Sequence, residues 1–299
     1  MDKILITGAS GFVASNLRIH LNSYFEVIPM SIRYSPNQTF EINGNVIIHL
    51  AGKAHDLKKV SQPQEYYEAN FELTKQLFDA FLLSKASVFI FISSVKAVAD
   101  EVEGILTEDI IPNPTTHYGI SKFKAENYIQ KQQLPEGKQV YILRPCMIHG
   151  PGNKGNLNLL YRLVSKNIPW PLAAFENQRS FLGIDNLCFV IQELINRNDI
   201  PSGVYNVADD TSLSTNELIA LISKSQNKHP KTVVVPKKII SFFAGIGDVF
   251  HLPLNSERLK KLTQSYVVSN KKIVKAIGNS LPFSAEEGFN KTFQSFNDV

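Results

Sequence analysis

Cysteine is scarce in this 299-residue chain, which contains only Cys146 and Cys188. Two isolated cysteines form neither a disulfide framework nor the spacing of a zinc site, so we expect a reducing, cytoplasmic compartment. Long apolar runs are also lacking. The most apolar late segment, residues 239–247, is too short and too interrupted by glycine to span a bilayer. We therefore expect no integral membrane segment, and interpret 239–247 as an internal helix of a small domain, with a helix lying against a membrane as the alternative.

A strong charge of either sign is missing as well. The chain has 31 Lys and Arg against 27 Asp and Glu, a net charge of +4. This balance falls short of the basic surface of a nucleic-acid-binding protein but suits an anionic small ligand. The histidines likewise lack the spacing of metal ligands, so we predict no metal site and structural or loop roles for them. This prediction covers four of the seven histidines, His49, His55, His117 and His149.

The first recognisable motif is a glycine turn between a predicted strand and a predicted helix. Residues 3–7 are an apolar run typical of a buried strand, and Gly8, Gly11 and Ala14 follow at three-residue steps. This spacing is the dinucleotide fingerprint: Gly8 permits the turn, Gly11 lets a pyrophosphate approach, and Ala14 lets the helix pack closely. The helix N-terminus then offers free N–H groups to the phosphates. We predict cofactor contacts from Gly8, Ser10, Gly11, Phe12 and Val13.

Strands and helices alternate through the first half of the chain. Apolar runs predict strands at 25–30, 46–50, 88–92 and 140–143, with helices over 65–83 and 118–132 between them. The pattern predicts an α/β protein: a Rossmann doubly wound parallel sheet with a smaller C-terminal α/β substrate lobe. We assign 1–150 to the dinucleotide-binding domain, with 181–208 returning to it. The lobe comprises 151–180 and 209–299.

A group of polar residues follows the fourth strand and begins the next helix. Tyr118 and Lys122 lie four residues apart on one helix face, and Ser94 stands at the end of the preceding strand. A neighbouring ammonium would lower the pKa of the phenol from about 10. Ser94 would then hold a carbonyl or alcohol oxygen while Tyr118 exchanges its proton. We predict these three residues to be catalytic.

The chain resembles the extended short-chain dehydrogenase/reductase family of sugar-nucleotide epimerases, dehydratases and reductases. The resemblance covers nearly the whole chain and includes Thr7-Gly-Ala-Ser-Gly-Phe12, His49-Leu-Ala-Gly52, Asn70, Ser93-Ser94, Tyr118-Gly-Ile-Ser-Lys122, Arg144-Pro145, Gly150-Pro-Gly152 and Arg179-Ser-Phe181. It implies that Leu50, Ala51, Gly52, Asn70, Tyr118 and Lys122 contact the cofactor, and that Lys122 bonds the nicotinamide ribose. It also implies a UDP-sugar whose diphosphate meets Arg179, with Asn156 and Arg258 as weaker candidates. A homodimer is a further expectation.

Two positions bear on the reaction and on the cofactor. The family's 4,6-dehydratases carry an Asp-Glu pair after the catalytic hydroxyl, where this chain has Val95 and Lys96, so dehydration is disfavoured. NAD-binding members place an acid about 20 residues beyond the glycines, where this chain has Ser31 and Arg33. A hydroxyl and a guanidinium suit a 2′-phosphate, so NADP(H) is favoured and NAD(H) is the alternative.

The motifs are most similar to bacterial polysaccharide-pathway reductases that act on the 4-keto group of UDP-4-keto-6-deoxy-N-acetylglucosamine. In that interpretation Lys96 lines the sugar pocket, with an outward-facing lysine as the alternative. A UDP-glucose or UDP-N-acetylglucosamine 4-epimerase with tightly held NAD would use the same residues. A non-catalytic, dinucleotide-sensing regulator is a third hypothesis, which the intact Ser94, Tyr118 and Lys122 disfavour.

Overall fold

A computed structural model describes residues 2–54, 62–153, 155–250 and 255–296. Its strands are β1 (Lys3–Thr7), β2 (Glu26–Met30), β3 (Val46–His49), β4 (Val88–Ile92), β5 (Ile105–Leu106), β6 (Gln139–Pro145), β7 (Met147–His149), β8 (Phe181–Gly183), β9 (Gly203–Val207) and β10 (Val267–Val268). Its α-helices are α1 (Phe12–Leu21), α2 (Pro63–Tyr67), α3 (Leu73–Leu83), α4 (His117–Gln130), α5 (Asn156–Ser165), α6 (Ile184–Asn196), α7 (Thr215–Ser225), α8 (Lys237–Phe250), α9 (Ser256–Thr263), α10 (Lys271–Ile277) and α11 (Ala285–Gln294).

Six parallel strands form the central sheet in the order β2-β1-β3-β4-β6-β9. The first crossover places β2 on one side of β1, and the chain then returns to add the other strands on the opposite side. The strand order therefore reverses between β1 and β3, and a doubly wound sheet binds its ligand at the carboxyl ends of the strands beside such a point. The predicted α/β fold class is confirmed.

Buried apolar runs account for the centre of this sheet. All residues of β3 and β4 are buried, as expected for parallel strands covered by helices on both faces. The edge strand β2 is less buried and contains Pro29, which an edge strand tolerates because it lacks one neighbour. The division of the chain into a dinucleotide domain and a substrate lobe stays a prediction.

Helix α8 occupies the late apolar segment. Ile240, Ala244 and Gly247 are buried, whereas Phe242 and Phe243 on another side of the helix are exposed. The predicted helix is therefore present, but only one of its apolar faces is covered. In the part of the chain that the structure describes, every helix is too short or too polar to cross a bilayer.

Candidate active site

The glycine turn lies at the strand-order reversal. Gly8 has φ +66°, which favours glycine, and a Cβ there would lie 2.9 Å from the backbone nitrogen of Ala51. The Gly11 N–H donates to the Gly8 carbonyl at 2.9 Å, and α1 begins at the next residue, Phe12. Ala14 is buried against the sheet. The turn thus presents the N-terminus of α1, with no intervening side chain at Gly8 or Gly11, as a dinucleotide pyrophosphate requires.

His49 connects this turn to the loop after β3. The Thr7 Oγ1 atom accepts the N–H groups of Leu50 and Ala51 and lies 2.8 Å from His49 Nδ1. The Thr74 hydroxyl donates to a backbone carbonyl, so it accepts from His49 Nε2 at 2.9 Å. These roles place the ring proton on Nε2. Burial and the nearby Lys122 charge lower the pKa of His49 to about 3, so the ring is neutral and structural.

Asn70 fixes the same loop to α4. It lies in a π-helical turn, Glu68–Glu72, between α2 and α3, and its side chain is fully buried. Its Oδ1 accepts the Lys53 N–H at 2.7 Å, and its Nδ2 donates to the Lys53 carbonyl and to Ser121 Oγ, each at 3.0 Å. A Cβ at Gly52 would lie 2.6 Å from Asn70 Oδ1 and 3.3 Å from Lys122 Nζ. The predicted cofactor loop therefore passes directly over the Asn70 amide and over the Lys122 ammonium of α4.

Ser94 and Tyr118 meet at the carboxyl end of β4. Ser94 follows that strand, and its Oγ accepts the Lys96 N–H at 3.2 Å at the start of a 3₁₀ turn. Tyr118 is the second residue of α4. The Thr116 side chain caps this helix by accepting a hydrogen bond from the Gly119 N–H. The Ser94 hydroxyl lies close enough to the Tyr118 hydroxyl to lower the pKa of the phenol. A substrate oxygen bonded to both hydroxyls would be held at one point.

The expected direction of the Tyr118 pKa shift is wrong. Burial raises the pKa of Tyr118, because the phenolate would lose its hydration, and the nearby Ser94 hydroxyl offsets this only in part. The Lys122 ammonium instead donates to the Ile92 carbonyl at 2.8 Å and lies 4.7 Å from the centre of the Phe91 ring. Burial lowers the pKa of Lys122 to about 8, so it remains mainly charged at neutral pH. The protonated phenol is the form that a proton donor needs.

A buried ion pair below these residues has no counterpart in the predicted site. Glu126, one helical turn after Lys122, accepts two hydrogen bonds from Arg144 Nε, at 3.0 and 3.1 Å, and one from Arg144 Nη2 at 2.5 Å. The Ser93 hydroxyl also donates to Glu126. Both charged groups are almost completely buried. The only sequence signal was an acid four residues after Lys122, which a solvated helix face would show equally well.

Lys96 and Arg179 bring positive charge to the side of the site next to the C-terminal segments. Lys96 Nζ donates to the Asp100 carbonyl at 2.7 Å and lies 4.1 Å from the centre of the Tyr266 ring. Burial is the main reason that the pKa of Lys96 falls to about 8, and repulsion from Arg179 and Lys261 contributes. The half-buried Arg179 guanidinium donates to the carbonyl of Lys261 in α9. Arg179 therefore makes no surface salt bridge within the described residues.

The other predicted contacts are placed less firmly. Ser31 and Arg33 are exposed beyond the end of β2. Arg258 lies in α9, where its backbone N–H donates to the Asn255 cap at 2.9 Å. The Asn156 side chain, His55 and Lys154 lie outside the described residues. Within the described ranges no group of acids, histidines and cysteines could hold a metal ion.

Comparison with known proteins agrees with this geometry. The model of the NAD-dependent epimerase/dehydratase family matches residues 4–208. The chain belongs to this family. It is 31% identical to a UDP-glucose 4-epimerase of Vibrio cholerae, over 98% of this chain and 95% of that protein. It is also 31% identical to a UDP-2-acetamido-2,6-beta-L-arabino-hexul-4-ose reductase of Pseudomonas aeruginosa, over 56% of this chain and 41% of that protein.

The fold of this family member is similar to that of MoeE5 in complex with UDP-glucuronic acid and NAD. The TM-score is 0.74 at 20% identity, over 99% of both chains. Family membership confirms the resemblance to extended short-chain dehydrogenases/reductases and the prediction of an NAD(P)-dependent enzyme. A non-catalytic sensor finds no support among these relatives.

Proposed function

We propose that the enzyme reduces the 4-keto group of UDP-4-keto-6-deoxy-N-acetylglucosamine, in bacterial surface polysaccharide synthesis, with NADPH as the preferred cofactor. The observation that carries the proposal is the proximity of the Ser94 hydroxyl to a protonated Tyr118 beside the predicted cofactor loop. A reduced nicotinamide, when bound, supplies the hydride. The chain itself must then hold the ketone oxygen and give it a proton.

The roles of the three polar residues follow from their positions. Ser94 donates a hydrogen bond to the ketone oxygen and fixes it beside Tyr118, whose phenolic proton passes to that oxygen as the alcohol forms. Lys122 lies one helical turn after Tyr118 in α4, and its Nζ is close to Gly52 of the predicted cofactor loop. The positive charge of Lys122 favours the transient phenolate.

The residues after Ser94 argue against dehydration. Elimination of water from a sugar needs a carboxylic acid and a carboxylate near the neighbouring carbons. Val95 is apolar and buried, and the Lys96 ammonium is engaged by the Asp100 carbonyl. The Asp100 carboxylate accepts hydrogen bonds from Thr115 and Thr116. Transfer of a hydride at a single carbon is the chemistry that these side chains support.

Two of the predicted ligand contacts outside the catalytic group, Arg179 and Arg33, concern phosphate. Besides burial, the positive charge of Arg179 lowers the pKa of Lys96, so two cationic groups act on the same region of the site. A planar guanidinium binds a diphosphate through two hydrogen bonds. At the other end of the site, residues 31–40 contain no acid to repel a 2′-phosphate. Both features support a nucleoside-diphosphate sugar and NADPH.

A second candidate function is 4-epimerisation of UDP-glucose or UDP-N-acetylglucosamine. It is favoured by the 31% identity to the Vibrio cholerae 4-epimerase over nearly the whole of both chains. An epimerase regenerates its own cofactor in each turnover and keeps it bound, whereas a reductase releases it. The two candidates therefore differ in what cofactor accompanies the purified protein.

The test is an assay of purified enzyme with each substrate class. Freshly made UDP-4-keto-6-deoxy-N-acetylglucosamine is incubated with NADPH or NADH, and cofactor oxidation and the NMR spectrum of the product are recorded. UDP-glucose and UDP-N-acetylglucosamine are incubated without added cofactor. Stoichiometric NADPH oxidation with formation of a 4-hydroxy sugar is expected. Epimerisation by protein that carries NAD, with no oxidation of added cofactor, would replace reduction by the second candidate.

A further inference from the structure

Helix α8 carries an apolar face that points away from the protein. Ile240, Ala244 and Gly247 face inward, where Ile240 and Ala244 join a core that includes Leu259 of α9. The outward residues form what we call the α8 face: Ile239, Phe242, Phe243, Val249 and Phe250. With 3.6 residues per turn, they occupy an arc of about 120°. The exposed fraction is 66% for Phe242 and 70% for both Val249 and Phe250.

This clustering differs from the rest of the described surface. Ile19 and Leu83 are also highly exposed, but they belong to separate helices, α1 and α3. A single exposed apolar side chain is common, whereas a contiguous apolar surface marks an interaction site. Val233 and Val234, just before α8, are exposed as well and add to the apolar character of this region.

The charge around the α8 face is strongly one-sided. Residues 226–250, which lead into and form α8, contain four lysines, at 228, 231, 237 and 238, and one acid, Asp248, which gives 4 − 1 = +3. Lys231 and Lys238 are exposed and form no ion pair with any described residue. The partner of this surface should therefore combine apolar and anionic groups.

We propose that the α8 face binds an anionic lipid bilayer. Its phenylalanines would enter the region between headgroups and acyl chains, while the lysines contact lipid phosphates. A second copy of the chain fits less well, because pairing two α8 faces would bring two sets of four lysines together with only one acid each. The attachment is peripheral, since α8 lies along its own protein core and is too short to span the bilayer.

Attachment through α8 would place the substrate side of the enzyme next to the membrane. Helix α8 packs on α9, and the Lys261 carbonyl of α9 accepts a hydrogen bond from the Arg179 guanidinium. The predicted diphosphate contact is thus separated from the α8 face by a single helix. The geometry predicts an enzyme that works at the membrane surface without being inserted in it.

Vesicle flotation of the full chain tests the proposal. The parent is mixed with vesicles of phosphatidylglycerol and phosphatidylcholine in equal parts, or of phosphatidylcholine alone. Binding to the anionic vesicles only, weakened by added salt, is expected. Phe242→Ser with Phe243→Ser should weaken it by about tenfold or more. Lys237→Gln with Lys238→Gln should weaken it by about thirtyfold, from about fivefold per lysine near an anionic surface.

The control is Leu83→Ser with Lys85→Gln, which removes an exposed apolar group and an exposed lysine from α3 and the loop that follows it. It should bind vesicles like the parent, and melting temperatures verify that all variants fold. Absence of parent binding to anionic vesicles, or equal binding by all variants, would overturn the proposal. So would a parent dimer that the phenylalanine changes convert to monomer in sedimentation velocity without any vesicle binding, because the α8 face would then be a self-association surface.

Discussion

Removing the charge of Glu126 should change both the stability of the protein and the pH dependence of its activity. Glu126 is fully buried and accepts three hydrogen bonds from Arg144, which is almost completely buried as well. It also accepts a hydrogen bond from the Ser93 hydroxyl. Glu126→Gln leaves the guanidinium in a dry environment without its counter-ion. Breaking one side of a buried pair costs about 3–5 kcal/mol of the free energy of unfolding.

The same change acts on Lys122. The Glu126 carboxylate raises the pKa of Lys122 and so opposes the lowering caused by burial to about 8. Without the carboxylate, the pKa of Lys122 should fall further, and less of the lysine is charged at neutral pH. The alkaline limb of the activity profile should therefore move to lower pH. A purely structural role for Glu126 would reduce stability and leave that limb where it is.

The assay combines urea unfolding with initial rates measured across the pH range on saturating substrates. Glu136→Gln, in an exposed turn, is the matched control and should change neither quantity. Arg144→Met combined with Glu126→Gln removes both charges and should recover part of the lost stability, because no unpaired buried ion remains. A loss below about 1 kcal/mol, with an unchanged alkaline limb, would refute the reasoning.

Four further predictions concern three predicted site residues and the structural His49. Tyr118→Phe should lower turnover by about 10²–10⁴-fold while cofactor binding, measured by fluorescence titration, is retained. Arg179→Ala should weaken UDP-sugar binding far more than dinucleotide binding in calorimetry, and lysine should rescue it incompletely. Arg33→Ala should raise the Michaelis constant for NADPH by about tenfold to hundredfold and leave that for NADH unchanged. His49 should make the protein less stable in acid, because between pH 6.5 and about 3 only the unfolded state binds a proton at this ring. The free energy of unfolding should therefore fall by about 1.4 kcal/mol for each unit by which the pH decreases in this range. His49→Gln should flatten this slope in urea titrations at several pH values.

Each of these has a contradicting outcome. Turnover within twofold of the parent would remove Tyr118 from the reaction. Equal losses of both ligands in Arg179→Ala would indicate a folding role. A parent enzyme that binds NADH as well as NADPH would defeat the argument from Ser31 and Arg33 and favour the epimerase. A His49 variant with the parent's acid slope would show that other groups carry the pH dependence.

The parts of the fold that could be predicted are those where burial alone decides the structure. The strands β1 and β4 begin and end at the predicted residues, because a five-residue apolar run covered on both faces has little alternative. The start of α7 is also accessible from the sequence, because the Ser214 capping box forms its two hydrogen bonds with a residue only three positions away. The helix predicted over 65–83 is interrupted by a π-helical turn, which leaves the apolar periodicity almost unchanged and so gives no signal.

The chemistry of the site was less accessible to prediction. The spacing of Tyr118 and Lys122 places them on one helix face, but it does not show that the ammonium bonds the Ile92 carbonyl or that burial dominates the phenol. The ion pair of Glu126 with Arg144 depends on how α4 packs on β6, and the distance between the two residues along the chain gives no indication of this contact. For α8 the pattern predicted a helix, yet it could not show which of two apolar faces is covered.

The π-helical turn at Glu68–Glu72 also makes the position of Asn70 depend on the number of residues in this helix. Such a turn accommodates one residue more than an α-helical turn, so Asn70 is displaced around the helix relative to a regular continuation of α3. Loss of any one residue here would restore regular winding and rotate the preceding segment by about 100°. Asn70 could then no longer bond both Lys53 and Ser121. Insertions and deletions in this helix should therefore be tolerated less than substitutions at its exposed positions, because the number of residues sets where the predicted cofactor loop lies.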